Sequence, residues 1–181
     1  MEANLAVSLE SERVLLREWL PRDLEPWISL NLDPENLRHF PRIYSEEESR
    51  GSFTRSRDRL NANPFGFWAA EEKSSGEFMG FVGISQQDIS GLAFMPCHEI
   101  GWRLDKKYWG HGYATEAAMV VLAYGLQDLG IGQIFSFTAK TNTPSINVMR
   151  KIGLRERPEL AFEHPKIEAG NPVKSHVVYS T

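Results

Sequence analysis

Apolar residues recur at three- and four-residue steps after residue 113, and this spacing predicts an amphipathic helix. The apolar positions are Ala114, Ala117, Ala118, Val121, Leu122 and Leu126, which share one face at 3.6 residues per turn. Glu116 suits the first turn, because the N-terminus of a helix carries partial positive charge. Gly130 follows as a stop signal. The helix is therefore expected to begin directly after Gly112 and to end before Gly130.

Six runs of aromatic and β-branched residues predict β-strands. They cover residues 13–18, 65–71, 78–84, 97–104, 133–138 and 173–180. The second and third runs are separated by a short polar segment that ends in glycine, residues 73–76. Such a segment is typical of an antiparallel hairpin. The fourth run leads into the segment that precedes the predicted central helix.

Two helices are predicted between the first and second strands. The first begins near residue 23, carries apolar Leu24, Trp27 and Ile28, and is interrupted by a proline at position 34. The second begins at Ser45 and is expected to reach residue 60. Its start is a capping box, because the Ser45 hydroxyl can accept from the Glu48 N–H while the Glu48 carboxylate returns to the Ser45 N–H.

The order of the predicted elements defines the fold class. Residues 144–151 predict a last short helix, and residues 158–172 predict an irregular connection. Antiparallel strands come first, and a strand, a loop, a helix and a strand follow. We therefore expect an α/β protein of the α+β type, with a mixed, mostly antiparallel sheet flanked by helices. No linker or repeat divides the chain, so residues 1–181 are expected to form a single domain.

Composition narrows the possible partners. The 181 residues are 41% hydrophobic and 24% charged, and the longest apolar runs are too short to span a bilayer. A net charge of −4 disfavours general nucleic-acid binding. Cys97 is the only cysteine, which excludes an internal disulfide and a thiolate metal cluster. Residues 1–7 lack the layout of a secretion signal, so a cytoplasmic location is expected.

Two spaced glycines, Gly110 and Gly112, stand immediately before the central helix. The first N–H groups of a helix have no partner within it, and the helix dipole favours an anion there, so a phosphate could bind to backbone alone. The alternative is that the glycines only shape a tight turn. A dinucleotide-binding pattern is disfavoured, because Thr115 occupies the third glycine position, and a P-loop pattern is absent.

Two motifs resemble those of the GCN5-related N-acetyltransferase (GNAT) superfamily. Residues 107–112 resemble its central Gln/Arg-x-x-Gly-x-Gly/Ala motif, with lysine at the first position. Residues 142–154 resemble the Asn-x-x-Ser-x-x-x-x-x-Lys-x-Gly-Phe/Leu element of the branch that contains the ribosomal-protein N-terminal acetyltransferases. Residues 99–104 are similar to the strand that precedes the loop in that branch. The resemblance covers most of the chain and implies the acyl-CoA N-acyltransferase fold.

The resemblance also implies which residues bind acetyl-CoA, the expected acyl donor. The strand that carries Trp102, Arg103 and Leu104 would splay from its parallel neighbour, so that its backbone could pair with the pantetheine amides. The diphosphate would be held by Gly110, His111, Gly112, Tyr113, Ala114 and Thr115, with added charge from Lys107. Asn142, Ser145 and Asn147 would lie beside the pantetheine arm and the thioester. Residues 142–145 equally resemble an ordinary helix N-cap.

Glu99 and Ser145 are the candidate catalytic residues. Glu99 stands on the strand that approaches the cofactor, and it could act as a base through water. The alternative is that Glu99 forms an ion pair with an arginine such as Arg103. Many relatives carry a tyrosine that acts as a general acid at the position where this chain has Met149, and a methionine side chain cannot donate a proton. Ser145 is therefore the candidate acid.

Other potentially reactive residues are given structural interpretations. Cys97 has no evident histidine partner in the sequence and is expected to be buried. His39, His164 and His176 lack metal-like spacing, so no metal is expected.

The expected function is an acetyl-CoA-dependent N-acetyltransferase. A primary amine, either a protein N-terminal α-amine or a small amine, would attack the acetyl thioester directly in a ternary complex. A non-catalytic acyl-CoA-binding module and, less favoured, a nucleotide sensor are the alternatives. Acceptor specificity is expected to come from residues 27–59 and 162–176. Both a monomer and a homodimer are consistent with the sequence.

Overall fold

The computed structural model describes residues 7–181. The expectation about a secretion signal concerns residues 1–7, of which residues 1–6 lie outside the described part of the chain. The strands are β1 (Leu9–Glu10), β2 (Val14–Arg17), β3 (Phe67–Glu72), β4 (Phe78–Gln87), β5 (Cys97–Leu104), β6 (Ile134–Ala139), β7 (Arg155–Glu156), β8 (Phe162–Glu163) and β9 (Ser175–Ser180). The helices are α1 (Leu24–Leu32), α2 (Glu46–Ala62), α3 (Tyr113–Ala123) and α4 (Thr143–Lys151).

All nine strands belong to one mixed sheet. The order is β1-β2-β3-β4-β5-β6-β9-β7, and β8 pairs with β9 beside this path. Strands β5 and β6 form a parallel pair, whereas the other paired strands run antiparallel. The expected fold class, a mostly antiparallel mixed sheet with flanking helices, is confirmed.

The predicted elements are found close to their expected positions. The fourth predicted strand coincides with β5, and the capping box at Ser45 and Glu48 forms as expected at the start of α2. Strands β1, β7 and β8 were not predicted. Each has only two residues, too few for a periodic pattern to be visible.

The central helix differs from its prediction at its C-terminal end. Regular α-helix ends at Ala123, and a π-helical segment follows over Tyr124–Asp128. A Cβ on Gly125 would come within 2.6 Å of Ile84 Cδ1 and 2.7 Å of Ile134 Cδ1. Gly125 thus allows the segment to pack directly on the sheet. The wider turn leaves Leu126, expected on the buried face, 37% exposed.

The sheet has two faces with different coverings. Ile84 pairs with Ile100, and the π-helical segment that follows α3 packs on this face. On the opposite face Phe81 pairs with Arg103, and the Phe81 ring lies 5.7 Å from the ring of Trp27 in α1. Alternation along β5 places Glu99 on this second face as well.

A gap opens between β5 and β6 because their pairing is confined to the start of both strands. The paired residues are His98 with Ile134 and Glu99 with Phe135. Beyond Glu99, β5 continues to Leu104 beside β4 alone. The expected splayed pair is therefore present. Within residues 7–181, no helix combines the length and the apolar character needed to cross a bilayer.

Candidate active site

The loop at the end of β5 depends on two glycines in the left-handed region. Gly110 has φ +79° and Gly112, the N-cap of α3, has φ +85°. A Cβ on Gly110 would meet no atom within 4 Å, so the space beside it is open. Residues other than glycine rarely adopt this backbone conformation. The sequence motif thus corresponds to a backbone that only glycine adopts easily.

The first N–H groups of α3 are left without partners. The Glu116 N–H donates to the Gly112 carbonyl at 3.0 Å, which is the first bond of the helix. No acceptor for the N–H groups of Tyr113, Ala114 or Thr115 exists among the described residues. These groups and the partial charge of the helix N-terminus suit an anion.

An ion pair with Arg13, in the segment just before β2, holds this helix start. Both oxygens of Glu116 are engaged: Oε1 accepts from Ser11 Oγ and the Arg13 N–H, each at 2.7 Å, and Oε2 accepts from Arg13 Nε at 2.7 Å. Arg13 Nη1 also donates to the His111 carbonyl at 3.1 Å. Sequence reasoning missed this contact, because about one hundred residues separate its partners.

Acidic residues of the β3–β4 hairpin also hold the loop. Lys107 Nζ lies 2.7 Å from Glu77 Oε2, which also accepts from the Tyr108 hydroxyl. The Tyr113 hydroxyl donates to Glu72. The charge expected from Lys107 near the phosphates is thus shared with Glu77, whose hydrogen bond raises the pKa of the Lys107 ammonium. His111 is exposed.

The backbone of β5 divides its polar groups between β4 and the gap. The Asp105 N–H donates to the Met79 carbonyl of β4 at 2.8 Å, and the Arg103 carbonyl lies against Gly80 of the same strand. Main-chain groups alternate sides along a strand, so those of Trp102 and Leu104 face the gap. The expectation for Arg103 therefore changes, because its backbone faces β4. Trp109 Nε1 already occupies the Leu104 carbonyl at 2.7 Å.

Glu99 lies beside Ser85, its register partner in β4. Protein surrounds the carboxyl although the residue keeps partial solvent contact. This desolvation raises the pKa of Glu99 to about 8, and a hydrogen bond with Gln87 opposes the shift. In the described part of the chain no basic group pairs with Glu99, so the alternative of an ion pair with Arg103 is not found.

The second motif forms the start of α4. Asn142 is its N-cap: Oδ1 accepts from the Ser145 N–H at 3.3 Å, and Nδ2 donates to Thr138 Oγ1 at 2.9 Å. Each polar group of Asn142 therefore makes one hydrogen bond within the protein, and the bond to Oδ1 is the helix cap. Ser145 is half-buried, Asn147 is exposed, and Met149 is buried.

The remaining candidates have structural roles or lie apart from the loop. Cys97 is buried, and burial raises the pKa of its thiol to about 12. No group of three potential metal ligands occurs within residues 7–181. A cavity of about 490 Å³ lies at the start of β5, between residues 93–98 and Phe135. Its position, at the opposite end of β5 from the glycine loop, separates it from the site described above.

The chain matches a family model for the acetyltransferase (GNAT) domain over residues 13–155. The protein therefore belongs to the GNAT acetyltransferase family. It is 30% identical over 152 residues to YkkB of Bacillus subtilis, described as an uncharacterized protein, and the match covers 83% of this chain and 87% of YkkB.

Solved structures have the same fold. A GNAT-family acetyltransferase from Bacillus anthracis superposes with a TM-score of 0.78 at 25% identity, covering 97% of this chain and 98% of that one. RimJ of Mycobacterium smegmatis, solved with CoA-disulfide, has a TM-score of 0.75 at 19% identity, covering 100% of this chain and 90% of that one. The expected acyl-CoA N-acyltransferase fold is thereby confirmed.

Proposed function

We propose that the protein is an acetyl-CoA-dependent N-acetyltransferase that acts on a primary amine in a ternary complex. One observation carries this proposal: the backbone N–H groups of Tyr113, Ala114 and Thr115, which have no partner among residues 7–181, lie in a row at the end of the gap between β5 and β6. An anionic diphosphate fits the first feature, and an extended amide-bearing arm fits the second.

The cofactor fit is supported by open space and free donors. Gly110 and Gly112 allow a phosphate to approach the main chain, and the Trp102 backbone faces the gap where pantetheine would pair. Bound acetyl-CoA supplies an acetyl group activated as a thioester. The Leu104 N–H, which also faces the gap, is assigned to stabilise negative charge on the acyl oxygen. The relative solved with CoA-disulfide supports the same ligand class.

Glu99 is assigned as the group that takes the proton of the acceptor ammonium, through a water molecule. A free α-amino group has a pKa of about 7.7 to 8.0, and a lysine side chain about 10.4. The pKa of Glu99, raised to about 8, is therefore well matched to an α-amine. A carboxyl with the usual pKa would be a much weaker base for this step.

Ser145 is assigned as the donor of a proton to the departing thiolate. It lies in the first turn of α4, and Met149, one turn further along, has no proton to donate. A thiol pKa near 8.5 makes the thiolate a reasonable leaving group without protonation, so the contribution of Ser145 is modest. We expect a smaller loss of turnover on removing Ser145 than on removing Glu99.

The acceptor is proposed to be a protein N-terminal amine or a small amine. Resemblance of the α4 motif to the ribosomal-protein acetyltransferases supports the first choice. The residues expected to discriminate among acceptors, 27–59, lie on the α1 face of the sheet together with Glu99. An acyl-CoA-binding module without turnover is the second candidate. It is supported by Met149, which stands where many relatives have a tyrosine that acts as a general acid.

Release of free thiol from acetyl-CoA tests the proposal. The purified protein is mixed with acetyl-CoA and a panel of amines that includes polyamines and peptides with free Ala, Ser or Met termini. The enzyme is expected to release thiol with at least one acceptor and to yield the acetylated amine by mass spectrometry. Tight binding of acetyl-CoA without thiol release on every acceptor would instead support the module.

A further inference from the structure

The side chain of Arg103 projects from the middle of the sheet into a group of aromatic rings. Its guanidinium carbon lies 4.1 Å from the ring centre of Phe40, and 5.3 to 5.6 Å from those of Trp27, Tyr44 and Phe81. We call these four residues the aromatic box. Phe40 and Tyr44 belong to the loop between α1 and α2, which has no regular structure over residues 38–45.

Arg103 is a half-buried cation without a carboxylate partner among the described residues. A guanidinium has five N–H donors. In the described part of the chain, Arg103 Nη1 donates to Asn31 Oδ1 at 2.7 Å, and the Tyr44 hydroxyl is a second side-chain hydrogen-bond partner of the guanidinium. Its Nε is buried and unpaired, and so is Asn31 Nδ2. No carboxylate contributes to its electrostatic surroundings. The aromatic faces offset part of the free-energy cost of removing this cation from water, but part of the hydrogen-bonding capacity of the guanidinium remains unused.

The unpaired edge of Arg103 has the geometry that anions select. Nη1 is occupied by Asn31, and the edge formed by Nε and Nη2 contains the buried, unpaired Nε. Two parallel N–H groups on one edge suit a carboxylate or a phosphate, which accepts both bonds at once. The residue as a whole keeps partial solvent contact, whereas Nε is closed to solvent, so full engagement of this edge requires a neighbouring side chain to shift.

The cofactor diphosphate is not the anion in question. The glycine loop begins α3, and the segment that follows α3 packs on the face of Ile84 and Ile100. The Arg103 side chain lies on the other face, where α1 covers Phe81. Glu99 shares that face with Arg103. An anion at Arg103 would therefore belong to the acceptor.

The surface between Glu99 and Arg103 can hold an acceptor chain. Gly101 stands between them, and a Cβ there would lie 3.6 Å from the Phe67 ring. Phe67 and Phe81 pack at 4.5 Å between ring centres and both keep solvent contact, although they belong to central strands. Four residues of strand separate the Cα atoms of Glu99 and Arg103 by about 13 Å.

We propose that Arg103, oriented by Asn31 within the aromatic box, binds an anionic group of the acceptor, preferentially a carboxylate. The acceptor would carry its reactive amine at Glu99, an apolar segment over Gly101 and Phe67, and the carboxylate at Arg103. This inference rests on the proposed acetyl transfer and narrows it to anionic amines. The carboxylate could belong to a small amino acid or to an acidic residue near a peptide N-terminus.

Acceptor pairs that differ only in charge test the inference. Each pair is an ω-amino acid of four to eight carbons and its carboxamide, and a second set pairs peptides with Glu or Gln at position three. The wild-type kcat/KM should favour the carboxylate by about tenfold or more in at least one set. The responding set identifies the source of the carboxylate. Equal use of both members in every set overturns the inference.

Substitutions of Arg103 test whether the preference for a carboxylate over a carboxamide depends on this residue. In Arg103→Met the ratio of kcat/KM for carboxylate over carboxamide should fall to about one. In Arg103→Lys the ratio should fall to an intermediate value, because the lysine ammonium keeps the charge but lacks the two parallel N–H donors of the guanidinium. Arg150→Met is the matched control, because Arg150 also lies over an aromatic ring, that of Tyr179, at 5.9 Å, and its ratio should equal the wild-type ratio. A ratio that survives in Arg103→Met overturns the assignment.

A measurement on the unmutated enzyme covers the case in which the Arg103 variants do not fold. Alkyl carboxylates without an amine should compete with the acceptor, whereas the matching carboxamides should not. Equal inhibition by both would contradict an anion subsite. Failure of acetyl transfer itself has a different signature, since no acceptor of either charge would then release thiol.

Discussion

Two regions of the described chain hold ionisable groups largely surrounded by protein, and the two regions differ in whether these groups are paired. Under α1, Arg17 is 7% exposed and makes two bonds to Asp23, at 2.7 and 2.9 Å, and one to Glu71 at 2.7 Å. Around β5, Arg103 and Glu99 have no oppositely charged partner in the described chain. Charges paired within the protein hold the fold together, whereas unpaired ones are available to a ligand.

The same contrast applies to the backbone. Most N–H groups of the sheet are used in its ladders, but those at the start of α3 and on the gap side of β5 lack partners in the described residues. Unpaired polar groups are costly inside a protein. Their concentration along one strand and the loop that follows it is the physical reason for which we propose the active site there.

Loss of a partner in the paired region should have the largest effect. Asp23 is fully buried and also accepts from the Leu20 N–H at 2.8 Å, so Asp23→Ala leaves Arg17 with an uncompensated charge. We expect a loss of about 3–5 kcal/mol in the free energy of unfolding, measured by urea denaturation. Arg57→Ala is the control, because it breaks only the exposed pair with Asp58, and its loss should be far smaller. Similar losses in both variants would show that the buried ion pairs stabilise the fold no more than an exposed pair does.

Removal of an unpaired charge should instead affect catalysis. Glu99→Gln keeps the shape of the side chain but cannot accept a proton, so kcat/KM should fall about 100-fold at pH 8.5. Thiol release measures this, and acetyl-CoA affinity should change little. Glu25→Gln, whose side chain is 74% exposed, serves as the control. Activity of Glu99→Gln near the wild-type value would require another base.

The pH dependence of stability should also distinguish Glu99. Its folded pKa of about 8 lies above the ordinary value of 4.5, so the folded state binds the proton more tightly than the unfolded state does. This contribution is complete below about pH 4.5 and is lost as pH rises through about 8. Relative to Glu99→Gln, the wild type should lose on the order of 2 kcal/mol between pH 5 and 9, allowing for its solvent contact. A constant difference across this range would contradict the raised pKa.

The sequence predicted the local parts of the site and missed those that depend on distant contacts. Gly110 and Gly112 could be recognised because a left-handed backbone restricts the residue type. The β5 bounds followed from a continuous run of strand-forming residues. The bond between Arg13 and Glu116 joins residues 103 positions apart, and no local pattern reports it.

Arg103 shows most clearly which features of the site a single sequence does not reveal. The family resemblance located it beside the cofactor, but which way its backbone faces depends on the pairing of β5 with β4. Its aromatic surroundings come from α1, β4 and the loop after α1. A single sequence offers no signal that these segments meet.

Acetyl-CoA titration of two glycine variants tests the central claim, that free main-chain N–H groups at the start of α3 bind the diphosphate. Gly110 (φ +79°) and Gly130 (φ +64°) both have open space where a Cβ would stand, so an alanine imposes similar backbone strain at either position. By calorimetry, Gly110→Ala should weaken acetyl-CoA binding about tenfold or more, through lost bonds to a charged group, while Gly130→Ala should match the wild type. Equal affinity in all three proteins would contradict the account.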